Sequence, residues 1–121
     1  MGYRLHHVQL AIPPGSEARA REFYVGVLGM EELPKPPALA ARGGLWLRLL
    51  GAELHLGVEG EFHPARKAHP AFEVRDLDGL RTRLERAGGR PQDDTLLPGR
   101  RRFYAEDPFG NRLEFVGGDG S

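Results

Sequence analysis

The sequence predicts an α+β fold built from two βαβββ modules, whose strands form one curved, cupped mixed sheet with the helices on its outer face. Three observations carry this reading. A strand, a helix and three further strands follow one another twice; each half has one helix to cover its strands; and the uncovered strand face is rich in His, Glu, Arg and aromatic residues. With 121 residues the chain suits one such domain, module one over 1–60 and module two over 61–121, and is long enough to bury a core without staples.

Leu5 to Ile12 alternates, with His6, Val8, Leu10 and Ile12 on the apolar side and Leu5, His7, Gln9 and Ala11 on the other. Pro13, Pro14 and Gly15 break this strand, and Ser16 is placed to cap a helix. Ala20, Phe23, Tyr24, Val27 and Leu28 fall on one helical face, and Gly29 ends it. A short extended piece at Met30 to Leu33 precedes a Pro/Ala-rich loop, Pro34 to Ala41, whose composition suits an exposed lid. Leu45 to Leu50 and Glu53 to Val58 read as a hairpin turned at Gly51 and Ala52, with alternate leucines on its apolar side.

Glu59 to Ala68 is polar and reads as a linker, after which the order returns. His69 to Val74 is a strand, Asp76 can cap a helix running to Ala87, and Gly88 and Gly89 stop it. A short strand near Arg90 to Asp93 precedes the final hairpin, Arg102 to Val116, whose turn chemistry comes from Asp107, Pro108, Gly110 and Asn111.

Composition excludes several function classes. Lys+Arg 17 balances Asp+Glu 17, so no global field draws in nucleic acid or an anionic membrane. The Arg100, Arg101 and Arg102 cluster reads as a solvated loop. There is no Cys, hence neither disulfide nor thiolate chemistry. Met1 to His7 lacks the apolar core of a signal peptide, and no long apolar run occurs, so a cytoplasmic location is expected.

The second strand face gathers His7, Gln9, Trp46, Arg48, Glu53, His55, His69, Glu73, Tyr104, Arg112 and Glu114. His7 and His69 take equivalent places on the first strand of each half, and Glu114 lies on the last strand. Two imidazoles and one carboxylate suit a divalent Fe, Mn, Ni, Co or Zn ion and leave positions open for water or substrate. His7 is preferred over His6, which the alternation turns to the apolar side. Glu53 and His55 share the pocket face of their strand, and either suits a fourth ligand or a catalytic base.

The strings L-H-H-V-Q-L-A-I-P, F-Y-V-G-V-L-G-M, H-P-A-F-E-V and D-P-F-G-N-R-L-E-F resemble the vicinal oxygen chelate superfamily of glyoxalases, bleomycin-resistance proteins, fosfomycin-resistance transferases and extradiol dioxygenases. The resemblance spans nearly the whole chain. It implies His7, His69 and Glu114 as metal ligands, Glu53 at the fourth-strand ligand position of glyoxalase I, and Tyr104 where fosfomycin transferases contact substrate. It also implies a homodimer, in which the ligands can come from two subunits. One departure is informative. Glyoxalase I holds a glutathione carboxylate with an arginine where this chain has Ala11, so glutathione-dependent glyoxalase I activity is not expected.

Two function classes follow. In the first, the protein is a metal-dependent enzyme on a small oxygen-chelating substrate, of lyase, isomerase, transferase or dioxygenase type, with Glu53 and Tyr104 catalytic and Gln9, Trp46, Arg48, His55, Glu73 and Arg112 binding substrate. In the second, it is a non-catalytic binder that sequesters a drug or metabolite against Trp46 and Phe109.

Overall fold

Alternating apolar residues build two four-stranded mixed sheets, one in each of two units. The computed structural model describes residues 1–118, and the chain divides between a first unit, Met1 to Pro64, and a second beginning at Ala65. Strand, helix, strand, strand, strand is the order in both, with one short helical turn added between the second and third strands of the first unit. Among the described residues no helix is long and apolar enough to cross a membrane.

In the first unit the strands are β1 (His7–Ile12), β2 (Glu31–Leu33), β3 (Leu45–Leu49) and β4 (Ala52–Val58), in the sheet order β1-β4-β3-β2. β1 runs parallel to β4, while β3 is antiparallel to both β4 and β2. Leu10, Ile12, Leu45, Leu47, Leu54 and Leu56 are buried on one face, each worth about 1.5–3 kcal/mol on transfer from water. The strand expected from Leu5 starts at His7, and Leu5 is exposed. Its period of two therefore stops short of His6, which is exposed beside His7 rather than turned to the apolar side.

The first helix departs from a regular 3.6-residue repeat. α1 (Glu17–Arg21) runs into a π-helical segment, Glu22–Val27, in which the Leu28 N–H reaches the Phe23 carbonyl five residues back at 2.9 Å. Ala20 and Tyr24 are buried, but the wider turn carries Val27 and Leu28 off that line and leaves them half-buried. Gly29, at φ 77°, ends the segment as expected. Ser16 holds the N-cap position, yet its hydroxyl donates back to the Pro13 carbonyl at 2.6 Å instead of capping the helix. The Pro/Ala-rich stretch expected as a lid contains a helical turn, α2 (Pro37–Ala40), opened by a proline in the first turn and spanned by Lys35, ahead of it, donating to the Gly43 carbonyl beyond it.

Before β3 the chain makes a close approach. Gly44, buried at φ 83°, donates its N–H to Glu17 Oε2 at 3.0 Å. This backbone donor, the largest cause, holds the Glu17 carboxyl below the usual carboxylate range against a smaller opposing effect of burial. The carboxylate therefore contributes stability above its unfolded pKa of about 4.3, and the contribution is lost as pH falls through its lower folded value. Urea unfolding at neutral pH should find wild type more stable than Glu17→Gln, with the gap closing in acid. A gap that stays constant from pH 7 to about pH 3 would contradict this assignment.

In the second unit the strands are β5 (Ala71–Val74), β6 (Gln92–Asp94), β7 (Arg102–Glu106) and β8 (Arg112–Gly117), in the order β5-β8-β7-β6. The strand expected from His69 begins at Ala71, so His69 stands just ahead of it. Asp76 caps α3 (Leu77–Arg86) by accepting from the Gly79 N–H at 2.9 Å. Leu77, Leu80 and Leu84 of α3 are buried, as are Phe103, Ala105, Leu113 and Phe115 of the sheet. Because side chains alternate along β8, Arg112 and Glu114 face away from this core.

The β7–β8 turn is held by two buried side chains. Asp107 accepts from the N–H groups of Phe109 and Asn111 and from Asn111 Nδ2, each at 2.9 Å. Asn111 Oδ1 in turn accepts from the Ala65 N–H at 2.8 Å, and Arg112 N–H donates to the Ala65 carbonyl at 2.8 Å. The D-P-F-G-N string thus makes the turn and also fastens the start of the unit to its last strand.

Candidate functional site

In the first unit, strand register brings the expected polar face together. His7 pairs with Glu53 and Gln9 with His55 across β1 and β4, while Trp46 pairs with His55 and Arg48 with Glu53 across β3 and β4. The rings of Trp46, His55 and His7 stack in a row across three strands, with centroids 4.4 Å and 4.2 Å apart and planes within 9° and 14°. His55, sandwiched and buried, meets Glu53 Oε1 through Nε2 at 2.8 Å. That hydrogen bond, foremost, keeps the Glu53 carboxyl below the usual carboxylate range.

His7 is gripped from a second side, its Nδ1 lying 2.9 Å from Nδ1 of His6. One of the two nitrogens must carry the proton. When it is that of His7, the His7 Nε2 presents a free lone pair. Gln9 lies over Gly57, where an added Cβ would stand 2.7 Å from its amide nitrogen. Arg48 donates to Glu31 at 2.6 Å in an exposed pair.

In the second unit, His69 and Glu114 converge. His69 Nε2 lies 2.9 Å from Glu114 Oε1, and its Nδ1 lies 2.9 Å from the Lys67 carbonyl. A carbonyl only accepts, so Nδ1 carries the proton, and in the neutral ring the Nε2 lone pair faces a carboxylate oxygen. Two lone pairs at that distance repel unless a cation, a proton or a metal ion, lies between them. The donor set therefore fits a divalent ion: a neutral imidazole with its outer nitrogen tied down, and a carboxylate.

The other Glu114 oxygen accepts from Arg102 Nη1 at 3.1 Å, and Arg102 Nη2 reaches Asp94 at 3.0 Å. Arg102 Nε is buried without a hydrogen-bond partner among the described residues. Its pKa lies above the ordinary arginine value: burial, the largest effect, lowers it, but the Glu114 hydrogen bond and the charge of Asp94 outweigh that. Tyr104 pairs in register with Glu114, meets the His69 ring edge-on at 5.6 Å and carries the Arg112 guanidinium 4.1 Å above its own ring. Glu73 is engaged by Arg100 in an exposed ion pair.

Among the described residues no three His, Asp or Glu side chains gather where a metal ion could be held. His69 and Glu114 come together in one unit, and His7, His55 and Glu53 in the other. The three consecutive arginines correct the expectation of a solvated cluster: Arg100 binds Glu73, Arg101 binds Asp78, and Arg102 is drawn into the Glu114 pair. Arg102 and Asp94 were not among the expected site residues. The alternation along β7 held the signal, because Arg102 stands two residues before Tyr104 and shares its face.

The family model of the Glyoxalase/Bleomycin resistance protein/Dioxygenase superfamily matches residues 4–115. A protein from Bacillus anthracis assigned to the glyoxalase family is 46% identical, with a TM-score of 0.92 over 97% of this chain and 96% of that one. Oxidase ChaP-H2 is 27% identical with a TM-score of 0.73 and full coverage of both chains (100%). The fosfomycin resistance protein FosX of Listeria monocytogenes, 16% identical, shares the fold at a TM-score of 0.76 over 98% of this chain and 95% of its own. No curated protein matches the sequence.

Proposed function

Because the chain belongs to the Glyoxalase/Bleomycin resistance protein/Dioxygenase superfamily, we propose that it is a divalent-metal-dependent enzyme acting on a small oxygen-chelating substrate, with His7, His69 and Glu114 as metal ligands. The observation that carries this reading is the approach of His69 Nε2 to Glu114 Oε1 at 2.9 Å, two lone pairs that a cation would reconcile. A bound divalent ion would supply Lewis-acid polarisation of a substrate oxygen. The Lys67 carbonyl fixes the His69 ring and its tautomer. Arg102 holds one Glu114 oxygen and leaves the other for the ion. The stack of Trp46 and His55 orients His7 from one side while His6 holds its Nδ1.

Glu53 serves as proton acceptor. It is ionised at neutral pH and steadied by His55. Tyr104 acts at the reacting end of the substrate, close to His69. Gln9, Trp46, Arg48, His55, Glu73 and Arg112 line the substrate's surroundings; the exposed pairs of Arg48 and Glu73 are weak enough for a ligand to open. β1 and β5 are edge strands of their own sheets, where a second copy can add to make the homodimer, and His7 then comes from the same chain or its partner. Ala11 offers no cation to a glutathione carboxylate, which argues against glutathione-dependent glyoxalase I chemistry. The sequestering alternative is less favoured, because Trp46 already spends one ring face on His55.

The test is calorimetric titration of chelator-stripped protein with Mn, Fe, Co, Ni and Zn. Wild type should take up one divalent ion per His69–Glu114 pair, and His69→Ala should lose roughly tenfold or more in affinity. Absence of stoichiometric uptake by wild type, or unchanged affinity in His69→Ala, would refute the metal reading.

A further inference from the structure

We propose that Arg112, mounted on the Tyr104 ring, is an oxyanion anchor, so that the substrate carries a carboxylate or phosphoryl group beside its metal-binding oxygens. The inference deepens the function proposed above and rests on it only for the word substrate. Other arginines on or beside this sheet are held by carboxylates: Arg81 by Asp93, Arg100 by Glu73, Arg101 by Asp78, and Arg102 by Glu114 and Asp94. Arg112 differs. Its guanidinium lies 4.1 Å above the centroid of Tyr104 and forms no hydrogen bond or ion pair with any described residue.

Stacking fixes the plane of a guanidinium while leaving its N–H edge open, and that edge matches two oxygens of a carboxylate or phosphoryl group. Such an arrangement has lost part of its rotamer freedom before a ligand arrives, which lowers the cost of binding. Arg112 alternates onto the same strand face as Glu114, one of whose oxygens accepts from Arg102, and it stands opposite Glu106 in the β7–β8 register without forming an ion pair with it. Tyr104, which carries the guanidinium, also touches His69 edge-on, so the anchor and the His69–Glu114 pair share one support. The anionic end and the chelating end of one small molecule would then be read by adjacent groups.

The experiment follows the side-chain Nε–H resonance of Arg112 by ¹H–¹⁵N NMR in protein stripped of divalent metal, titrated separately with inorganic phosphate and sodium acetate at constant ionic strength. The signal is assigned by its loss in Arg112→Lys. A saturable shift is expected with at least one anion, and the stronger responder distinguishes a phosphoryl from a carboxylate ligand. Tyr104→Phe should keep the affinity, whereas Tyr104→Ala should weaken it by roughly threefold or more as the cation–π support is removed. No saturable shift with either anion, or equal affinity in Tyr104→Ala, would overturn the proposal. Since metal is absent throughout, failure of the metal reading leaves this result intact, and failure here leaves metal uptake untouched.

Discussion

Gly44→Ala is expected to lower the unfolding free energy by about 4 kcal/mol and the Tm by about 15 °C. Two effects add. At φ 83° an L side chain is strained, which costs on the order of 1–3 kcal/mol. A Cβ there would also press into the Leu56 carbonyl oxygen, with the carbonyl carbon at 3.2 Å, and a backbone group in the middle of a sheet cannot swing aside. Relieving such overpacking costs typically 1–3 kcal/mol. Gly51 provides the control, because it has φ 78° but nothing within 4 Å of an added Cβ. Gly51→Ala should show the conformational part alone, about 1 kcal/mol. Thermal and urea unfolding followed by circular dichroism compare the two. Equal losses would mean that the approach to Leu56 does not matter.

Asp107→Ala is the second large effect, expected at about 3 kcal/mol. The carboxylate accepts three hydrogen bonds inside the β7–β8 turn, and both it and Asn111 are buried. Each bond is worth only about 1 kcal/mol net, but its donors would be left without partners away from water, where the penalty is about 1–3 kcal/mol for each. Asp107→Asn keeps one acceptor oxygen and should lose roughly half as much. Hydrogen exchange adds a distinguishing readout. Once Asn111 is released, the Ala65 amide that bonds its side chain should lose protection together with the turn. An Ala65 amide as slow in Asp107→Ala as in wild type would rule out this linkage.

The parts of the fold that were legible in the sequence are those with a strong local period. Alternating leucines in β3 and β4, the Leu77, Leu80 and Leu84 stripe of α3 and the Asp-Pro-Phe-Gly-Asn turn each state their structure within a few residues. The misreadings lie where a local rule meets a longer-range partner. Ser16 has the chemistry of a cap, but a nearer acceptor at Pro13 takes its hydroxyl. The helix face at Phe23 to Leu28 obeys a period of 3.6, and the π turn breaks it with hydrogen bonding that reaches back five residues, which no residue type announces.

Site residues follow the same division. The faces of His7, Glu53, His55, Tyr104 and Glu114 came from counting by twos, and the strand registers join them as neighbours within each unit. Pairings that depend on side-chain reach were not legible. Arg102 crosses to Glu114 and Asp94, and His6 folds onto His7 because the strand has not yet begun. A run of three arginines looks uniform in one dimension, yet each member leaves the chain in a different direction.

The bond between Ala65 and Asn111 also sets an order in time. The two residues are 46 apart in sequence, so at a synthesis rate of about 5–20 residues per second the amide of Ala65 waits roughly 2–9 s for its acceptor to be made. β5 waits as well, because its one partner in the sheet is β8, the last strand of this unit to be made among the described residues. During that interval an unpaired Ala71–Val74 edge is exposed on the nascent chain, a template for pairing with a neighbouring copy. Each unit is therefore most open to misassembly while its first strand waits for its last, and slowing the ribosome after β5 has emerged and before β8 has should lower the soluble yield.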